Sequence, residues 1–256
     1  MVIGKRLERW SPLIVLAIVL LLWQAIVTLF RVPEFIFPSP WQIAQEFVAF
    51  RGALVEAAWK TFWVTMLGFG LSIAVGVLLG FLVGSSRLAY TALYPLMVAF
   101  NAVPKAVIVP ILVVWFGIGL GPGVLTAFLI SFFPITVNIA TGLATLEPEL
   151  EDVLRVLGAR RWDVLVKVGL PRSMPYFYAS LKVAITLAFV GTVLAEMTAG
   201  DSGIGYLMQS AGSQQRMPLA FAGLVAIGVM AMAMYELFSW IERRTTAWAH
   251  RGSNAA

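Results

Sequence analysis

The sequence contains no cysteine and one histidine, His250, near its end. Without cysteine there is no disulfide and no thiolate metal site, and one imidazole cannot form a histidine metal cluster within a single chain. Charged residues are scarce too, at 12% of 256 residues, whereas a soluble domain carries about a quarter. We therefore predict neither a metal site nor a soluble domain, although the lack of cysteine does not decide the compartment.

Catalytic motifs are also missing. No G-x-x-x-x-G-K-[ST] occurs, so the chain cannot supply the phosphate-binding loop of an ATPase. The nucleophile elbow G-x-S-x-G is absent, and "GDSGIG" is only superficially similar to it. Because the carboxylates are scattered as well, we expect no catalytic residue and no cofactor in this chain.

Apolar residues dominate, at 60% of the chain with a mean hydropathy of +0.89. They form runs near 20 residues long, which suit bilayer spans of about 17–25 residues, and nothing shows the alternation of a transmembrane barrel. The sequence predicts an all-α membrane protein, a single membrane domain over 1–256. Its six transmembrane helices are expected near 12–30, 62–84, 92–116, 122–143, 176–198 and 218–240.

Two segments near the N-terminus need an interpretation. The basic start and the apolar run after it resemble a signal peptide, but the run is long and no small-x-small cleavage site follows. We interpret it as a retained first span. In the outer loop 31–61, Ser39-Pro40 predicts the start of a short helix with proline at its first position, and the aromatic residues favour an interfacial helix.

Basic residues are distributed unequally between the two sides of the predicted bundle. With six spans, one side holds twelve of them: Lys5, Arg6, Arg9, Arg87, Arg155, Arg160, Arg161, Lys167, Arg172, Arg243, Arg244 and Arg251. The other side holds four: Arg31, Arg51, Lys60 and Arg216. The positive-inside rule therefore places both termini and the loop 144–175 in the cytoplasm. The net charge of +5 is explained by these loops, and without a basic-aromatic patch we expect no nucleic-acid partner.

The second span carries a small residue at every fourth position: Gly68, Ser72, Gly76, Gly80 and Gly84. This spacing predicts a smooth seam along one helix face, against which a neighbouring backbone can pack closely. Two interpretations stay open at this stage. The seam is either static packing or a moving contact within a transport core.

The loop 144–175 has an ordered, charged pattern. Residues 147–158 read as a helix with acids at its N-terminal end, a Glu151–Arg155 pair at i,i+4, and an apolar stripe. The members of the stripe are Leu150, Val153, Leu154 and Leu157. Gly158 predicts a helix stop, and a second short helix is expected to follow and close at Pro171.

An apolar stripe with charged flanks needs a partner. It could lie on lipid, but membrane-surface helices are usually net basic, whereas 147–172 holds five acidic and five basic residues. We therefore predict that the loop binds a protein.

The spacing of this loop resembles a known signature. Permease subunits of bacterial ATP-binding-cassette (ABC) importers carry E-A-A-x3-G-x9-I-x-L-P between two late spans. This chain has Asp152-Val153-Leu154, three residues, Gly158, nine residues, Val168, one residue, and Leu170-Pro171. The departures, Asp for Glu, Val-Leu for Ala-Ala and Val for Ile, leave the side-chain detail in doubt. Residues 101–121 and 195–211 are also similar to the nitrate/sulfonate/taurine branch, and the resemblance covers about 85–245.

The resemblance implies a type I ABC importer (MetI-like) transmembrane domain in the bacterial inner membrane. It implies a second permease copy, expected to form a homodimer, and two copies of a separate ABC ATPase that binds ATP and magnesium. An extracytoplasmic solute-binding protein would deliver a small solute, with a bias toward an anion such as a sulfonate, taurine or nitrate, although a pyrimidine-type vitamin precursor or an aromatic acid fits almost as well. Import would proceed by alternating access. The alternative, an ion-coupled secondary transporter, would be expected to show more intramembrane carboxylates and two related halves.

The resemblance also implies the residues that couple the permease to its ATPase. They lie in a coupling helix within 147–163: Glu151, Asp152, Arg155, Leu157, Gly158, Ala159, Arg160 and Trp162.

Polar residues inside spans are candidates for the translocation path. Lys105 either faces the path, where it would suit an anion, or snorkels to the surface from a segment broken by its prolines. Glu196 could pair with a lysine, line an outer gate or cap a helix near the glycine-rich turn. Asn101, Asn138, Thr192 and Thr198 are further path candidates, and such side chains also bond between helices. Residues 200–207, "GDSGIGYL", read as a flexible extracytoplasmic turn, which the resemblance would place near the binding protein or the outer gate, and their glycine content fits a mere tight turn equally well.

Overall fold

The structure is a computed structural model that describes residues 2–144, 153–154, 156–158 and 160–246. Within these ranges every regular element is helical, which confirms the all-α prediction. The helices are α1 (Val2–Leu29), α2 (Pro40–Ala49), α3 (Arg51–Gly84), α4 (Arg87–Ala102), a 3-10 turn (Lys105–Ile108), α5 (Val109–Phe116), α6 (Leu120–Ala144), α7 (Arg161–Val164), a π turn (Leu165–Gly169), α8 (Leu170–Ala199), α9 (Ile204–Ser213) and α10 (Met217–Thr245).

Five helical segments of the described chain are long and apolar enough to cross a membrane: Trp10–Leu29, Arg51–Gly84, Leu120–Leu143, Val166–Ala199 and Met217–Thr245. A sixth crossing would combine α4 with the segment Lys105–Phe116, and the two are bent by 72° relative to each other. The third predicted span, 92–116, is therefore not one straight helix. Pro104 has no N–H to continue α4 and holds Val103 in an extended conformation, with φ −67° and ψ 126°.

The outer loop is shorter than predicted because α3 begins eleven residues before 62, at Arg51. Before it, α2 starts where Ser39-Pro40 predicted a helix. The Ser39 hydroxyl accepts the Gln42 N–H, and the Gln42 side chain accepts the Ser39 N–H at 2.8 Å, a reciprocal cap. In the N-terminal part of α3, the exposed side chains of Lys60 and Glu56 form an ion pair at 3.1 Å. This part of the helix therefore carries paired charges.

The core forms where α3, α6 and α8 pack together. Its buried members come from all three helices: Phe69, Ala127, Ile135, Ile139, Leu143, Leu181, Ala184, Ile185, Ala188 and Phe189. The predicted small-residue seam of α3 faces α6. A Cβ at Gly80 would lie 2.8 Å from the Ile139 Cβ, and the Ser72 hydroxyl lies 2.7 Å from the Ser131 hydroxyl. The seam therefore packs two backbones closely.

Adding a methyl group to a glycine should have different effects on the packed face and on the open face of α3. We expect Gly80→Ala to lower the free energy of unfolding by about 1–3 kcal/mol, because the new Cβ overpacks against the α6 backbone. Gly70→Ala is the matched control, since nothing lies within 4 Å of a Cβ at Gly70 on the same helix. Thermal unfolding of the detergent-solubilised variants measures both, and equal midpoints would contradict the packing role of the seam.

Candidate coupling and translocation sites

The described part of the loop 144–175 turns sharply at Gly158. The Leu157 N–H donates to the Val153 carbonyl at 3.2 Å, which closes one helical turn, and Gly158 then adopts φ 87°. This left-handed conformation suits glycine, and a Cβ at Gly158 would meet nothing within 4 Å. The helix stop predicted at Gly158 coincides with this turn.

Apolar side chains of this turn lie on the surface. The exposed fractions are 57% for Val153, 87% for Val156 and 76% for Leu157. Leu154, the other stripe member described, is partly buried. Clustered apolar groups at a surface are typical of a site that contacts a protein or a membrane.

After Gly158 the chain enters a long helical run. The Arg160 N–H donates to the Asp163 carboxylate at 3.3 Å, and Lys167 pairs with the same carboxylate at 3.1 Å. The hydrogen bond from Lys167, with that from the Arg160 N–H, holds the pKa of Asp163 below its usual range. Both contacts fasten the start of the run, which begins at Arg161.

The predicted end of this second helix at Pro171 is wrong. Helical structure continues from Arg161 through the π turn Leu165–Gly169 into α8, and Pro171 lies in the first turn of α8. A first turn tolerates proline because its N–H would have no helical partner, and a π turn shifts the hydrogen-bond pattern by one residue just before it. A single helical run therefore joins the loop to the opposite end of the bundle.

Several of the predicted coupling residues lie outside the described chain. They are Glu151, Asp152, Arg155 and Ala159, together with the side chain of Trp162. Of the predicted set, the structure describes the surroundings of Leu157, Gly158 and Arg160.

Two predicted path residues meet at the break between α4 and α5. The Lys105 ammonium donates to the Asn101 backbone carbonyl and to the Asn101 side-chain oxygen, each at 2.8 Å. Asn101 lies in the last turn of α4, where carbonyls lack helical partners and the helix dipole is negative. The lysine therefore caps α4 while remaining partly exposed at the break.

Asn138 and Thr192 are bonded within the protein. The Asn138 amide donates to the Pro134 carbonyl of its own helix at 2.9 Å. Thr192 is fully buried, with its hydroxyl 2.9 Å from that of Thr65 on α3. These contacts support the interpretation that both residues hydrogen-bond for stability.

Glu196 is 7% exposed and joins three helices. Its carboxylate accepts the Thr61 hydroxyl of α3, at 2.8 and 2.9 Å from the two oxygens, and the Gly205 N–H of α9 at 2.8 Å. The Thr61 hydroxyl in turn accepts the Ile204 N–H at 2.8 Å. A carboxylate at the N-terminus of a helix is electrostatically favoured. Of the three options for Glu196, the structure shows the helix cap.

The turn predicted over 200–207 is limited to 200–203, because α9 begins at Ile204. Gly203 adopts φ 94°, and a Cβ there would overlap the Glu196 carboxylate. A Cβ at Gly205 would lie 2.6 Å from the Val193 carbonyl. The glycines are needed because the backbone approaches the Glu196 carboxylate closely. From composition alone, this need cannot be distinguished from a need for flexibility.

A cavity of about 370 Å³ lies beside this contact, at the end of the bundle where α8 meets α9. Its lining combines two tryptophans of α3, the turn before α6 and the turn after α8, and the residues include Trp59, Lys60, Trp63, Gly123, Glu196 and Asp201. Sequence reasoning missed this cavity and missed Thr61. The available signal was the pair of hydroxyls, Thr61 and Thr65, one turn apart in an apolar helix.

Residues 72–247 match a family described as "Binding-protein-dependent transport system inner membrane component". A probable ABC transporter permease protein of Haemophilus influenzae is 32% identical over 93% of this chain and 98% of that protein. The riboflavin transport system permease protein of Chloroflexus aurantiacus is also 32% identical, over 95% and 94%. The taurine transport system permease protein of Escherichia coli is 26% identical, over 91% and 87%. These matches confirm the resemblance to ABC importer permeases and their sulfonate/taurine branch.

A solved structure shows the same fold. The inward-facing methionine ABC transporter MetNI contains a chain that matches with a TM-score of 0.67 at 18% identity, over 77% of this chain and 98% of that one. The fold class predicted from the sequence, a type I importer transmembrane domain, is confirmed.

The Glu196 contact should stabilise the bundle. We expect Thr61→Val to lower the free energy of unfolding by about 1–3 kcal/mol, because the carboxylate loses a donor and the Ile204 N–H loses its acceptor. Thr198→Val is the control, since its exposed hydroxyl donates only to the Leu194 carbonyl of its own helix. Thermal unfolding in detergent compares the two, and a loss at Thr198 as large as at Thr61 would contradict the bracing role.

Proposed function

Because the chain belongs to the family of binding-protein-dependent transport system inner membrane components, we propose how its loop and its broken span serve that function. The chain is the permease subunit of an ABC importer that takes up solute delivered by a binding protein. We propose that the loop 144–175 binds the ATPase and that the break between α4 and α5 lines the translocation path. An ion-coupled secondary transporter is disfavoured by the family match.

The exposed apolar turn carries the first proposal. Val153 and Leu157 belong to the predicted stripe, and both lie at the surface beside the glycine turn. The spacing of the sequence signature around Gly158 supports a protein partner at this surface. The helical run from Arg161 to Ala199 would carry a displacement of the loop across the membrane.

The partners follow from this role. ATP and magnesium would bind a separate ATPase, since this sequence has no phosphate-binding loop. Two ATPase copies would bind two permease copies related by a two-fold axis, in a homodimer if the second permease is the same chain. The distribution of lysine and arginine supports both termini, and the loop 144–175, on the cytoplasmic side.

The break between α4 and α5 carries the second proposal. Non-helical backbone at membrane depth is tolerated only where it is covered by protein or lines a watery cavity, and transporter sites often use interrupted helices. Lys105 brings an ammonium to this break, beside Asn101. Alternating access would expose this point to each side in turn.

A cation at the path favours an anionic solute. The relatives from Escherichia coli and Chloroflexus aurantiacus, named for taurine and riboflavin, show that similar permeases serve chemically different solutes. We propose a small organic or inorganic anion such as a sulfonate, taurine or nitrate for this chain.

The docking proposal predicts an effect of Leu157→Glu. A carboxylate on the predicted stripe should be disfavoured in an apolar cleft, so the tagged chain should retain the ATPase about tenfold less on co-purification from its membrane. Val156→Glu is the matched control, because Val156 is adjacent and 87% exposed but lies outside the stripe. Equal retention in both variants would contradict docking through the stripe.

The path proposal predicts an effect of Lys105→Met. Loss of a charge-assisted hydrogen bond should raise the KM for uptake of an anionic solute by about tenfold. Uptake is measured with the solute found on the co-purified binding protein. Lys105→Arg should retain most uptake, and Arg87→Met, at an exposed side chain at the start of α4, serves as the control. An unchanged KM in Lys105→Met would contradict the proposal.

A further inference from the structure

An ion pair joins α8 to α10 inside the bundle. The Lys182 ammonium lies 2.6 Å from the Glu242 carboxylate, and the two side chains are 18% and 14% exposed. Lys182 also lies 5.8 Å from the ring centroid of Tyr235. Lys182 and Glu242 are 60 residues apart in the sequence, so the pair is a finding of the structure.

The rest of α10 packs loosely on the core. Its buried residues lie at its two ends: Pro218, Leu219, Ala220, Ala222 and Gly223 at the start, and Ser239 near the finish. Between them, α10 contacts the core through partly buried side chains that include Ile227, Met230, Met234 and Phe238. The opposite face is open, with Val229 63% and Met232 68% exposed. Between its two ends, α10 is therefore held by these apolar contacts and by the approach of Lys182 to the Tyr235 ring.

Apolar contact does not fix a helix well in a bilayer. Lipid tails are as apolar as leucine, so separating two apolar faces in lipid meets little hydrophobic resistance. Lys182 and Glu242 are different, because both side chains are largely buried and their separation would leave each charge unpaired. The pair therefore gives the C-terminal end of α10 a directional attachment to α8.

Neighbouring charges do not provide that attachment. Arg243 lies 3.8 Å from Glu236 on α10 itself, and both side chains are more than half exposed. Arg244 stacks 4.5 Å from the Trp240 ring, also on α10. Within the described ranges, Lys182–Glu242 is the ion pair that links α8 and α10.

We propose that Lys182 and Glu242 are positioning residues that make α10 move with α8 during the transport cycle. This rests on the proposed function, in which the loop 144–175 is displaced by the ATPase. Because α8 continues the helical run from that loop, the loop would drive α8 directly. The peripheral helix α10 would follow through the ion pair.

Spin labels can measure whether the two helices move together. The chain has no cysteine, so Val190→Cys on α8 and Leu237→Cys on α10, both partly exposed, give one label on each helix. In the complex with its co-purified ATPase, we expect the same label distance without nucleotide and after trapping with ATP and vanadate. With Lys182→Met, the distance should change between the two states by about 1–2 Å, the size of typical helix shifts in switching proteins.

Two double variants distinguish a positioning role of the pair from a general folding defect. Lys182→Met with Glu242→Gln leaves no stranded charge, so it should fold and still show the state-dependent distance. Lys182→Glu with Glu242→Lys should restore a constant distance, which a general packing defect would not do. Arg243→Gln, next to Glu242 but exposed, is the control and should keep the constant distance.

Different outcomes contradict different statements. A label distance that changes between the states in the unmodified pair, or stays constant in both the single and the double neutral variants, would overturn the positioning role. Failure of the ATPase to co-purify with the unmodified chain would contradict the proposed docking function instead. In that case the distance in the permease alone still tests the attachment, because loss of the pair should broaden the distance without nucleotide.

Discussion

Inside a bilayer, apolar contact between helices has little driving force because the surrounding lipid is equally apolar, and the fold answers this constraint in two ways. The first is close fit: α3 presents glycines to α6, so that the two backbones approach within van der Waals distance. The second is a small number of polar contacts between helices, which have no substitute partner in lipid. The Glu196 carboxylate and the Lys182–Glu242 pair are the main examples.

The positions of these contacts along one helical run suggest how they serve the proposed function. The run begins at Arg161, beside the exposed turn at Gly158, and ends at Ala199. Glu196 ties the far end of the run to α3 and α9, while Lys182, near the middle of the run, ties it to α10. A displacement at the loop would therefore reach three neighbouring helices through defined side chains. The continuity of the run across Pro171 is what makes such transmission possible.

The sequence predicted the features that depend on nearby residues. The all-helical fold, the start of α2 at Ser39-Pro40 and the packed seam of α3 all follow from spacing within one segment. The contacts between distant segments could not be predicted, because Thr61 and Glu196 are 135 residues apart and Lys182 and Glu242 are 60 apart. The glycines before α9 predicted a longer turn than the structure has, for a related reason. They leave room for the Glu196 carboxylate, which lies on another helix.

The hydrogen bonds of the polar residues also reduce the number of candidates for the translocation path. Intramembrane polar residues are functional candidates by default, yet the structure gives Thr192, Asn138 and Glu196 partners inside the protein. A side chain that braces helices is poorly placed to release a solute in every cycle. Lys105 differs because its only described partners belong to Asn101, one turn away at a break in the backbone, so an anion could replace them without loosening any contact between helices. The break is therefore the place in the described bundle where a charged side chain is not committed to holding two helices together.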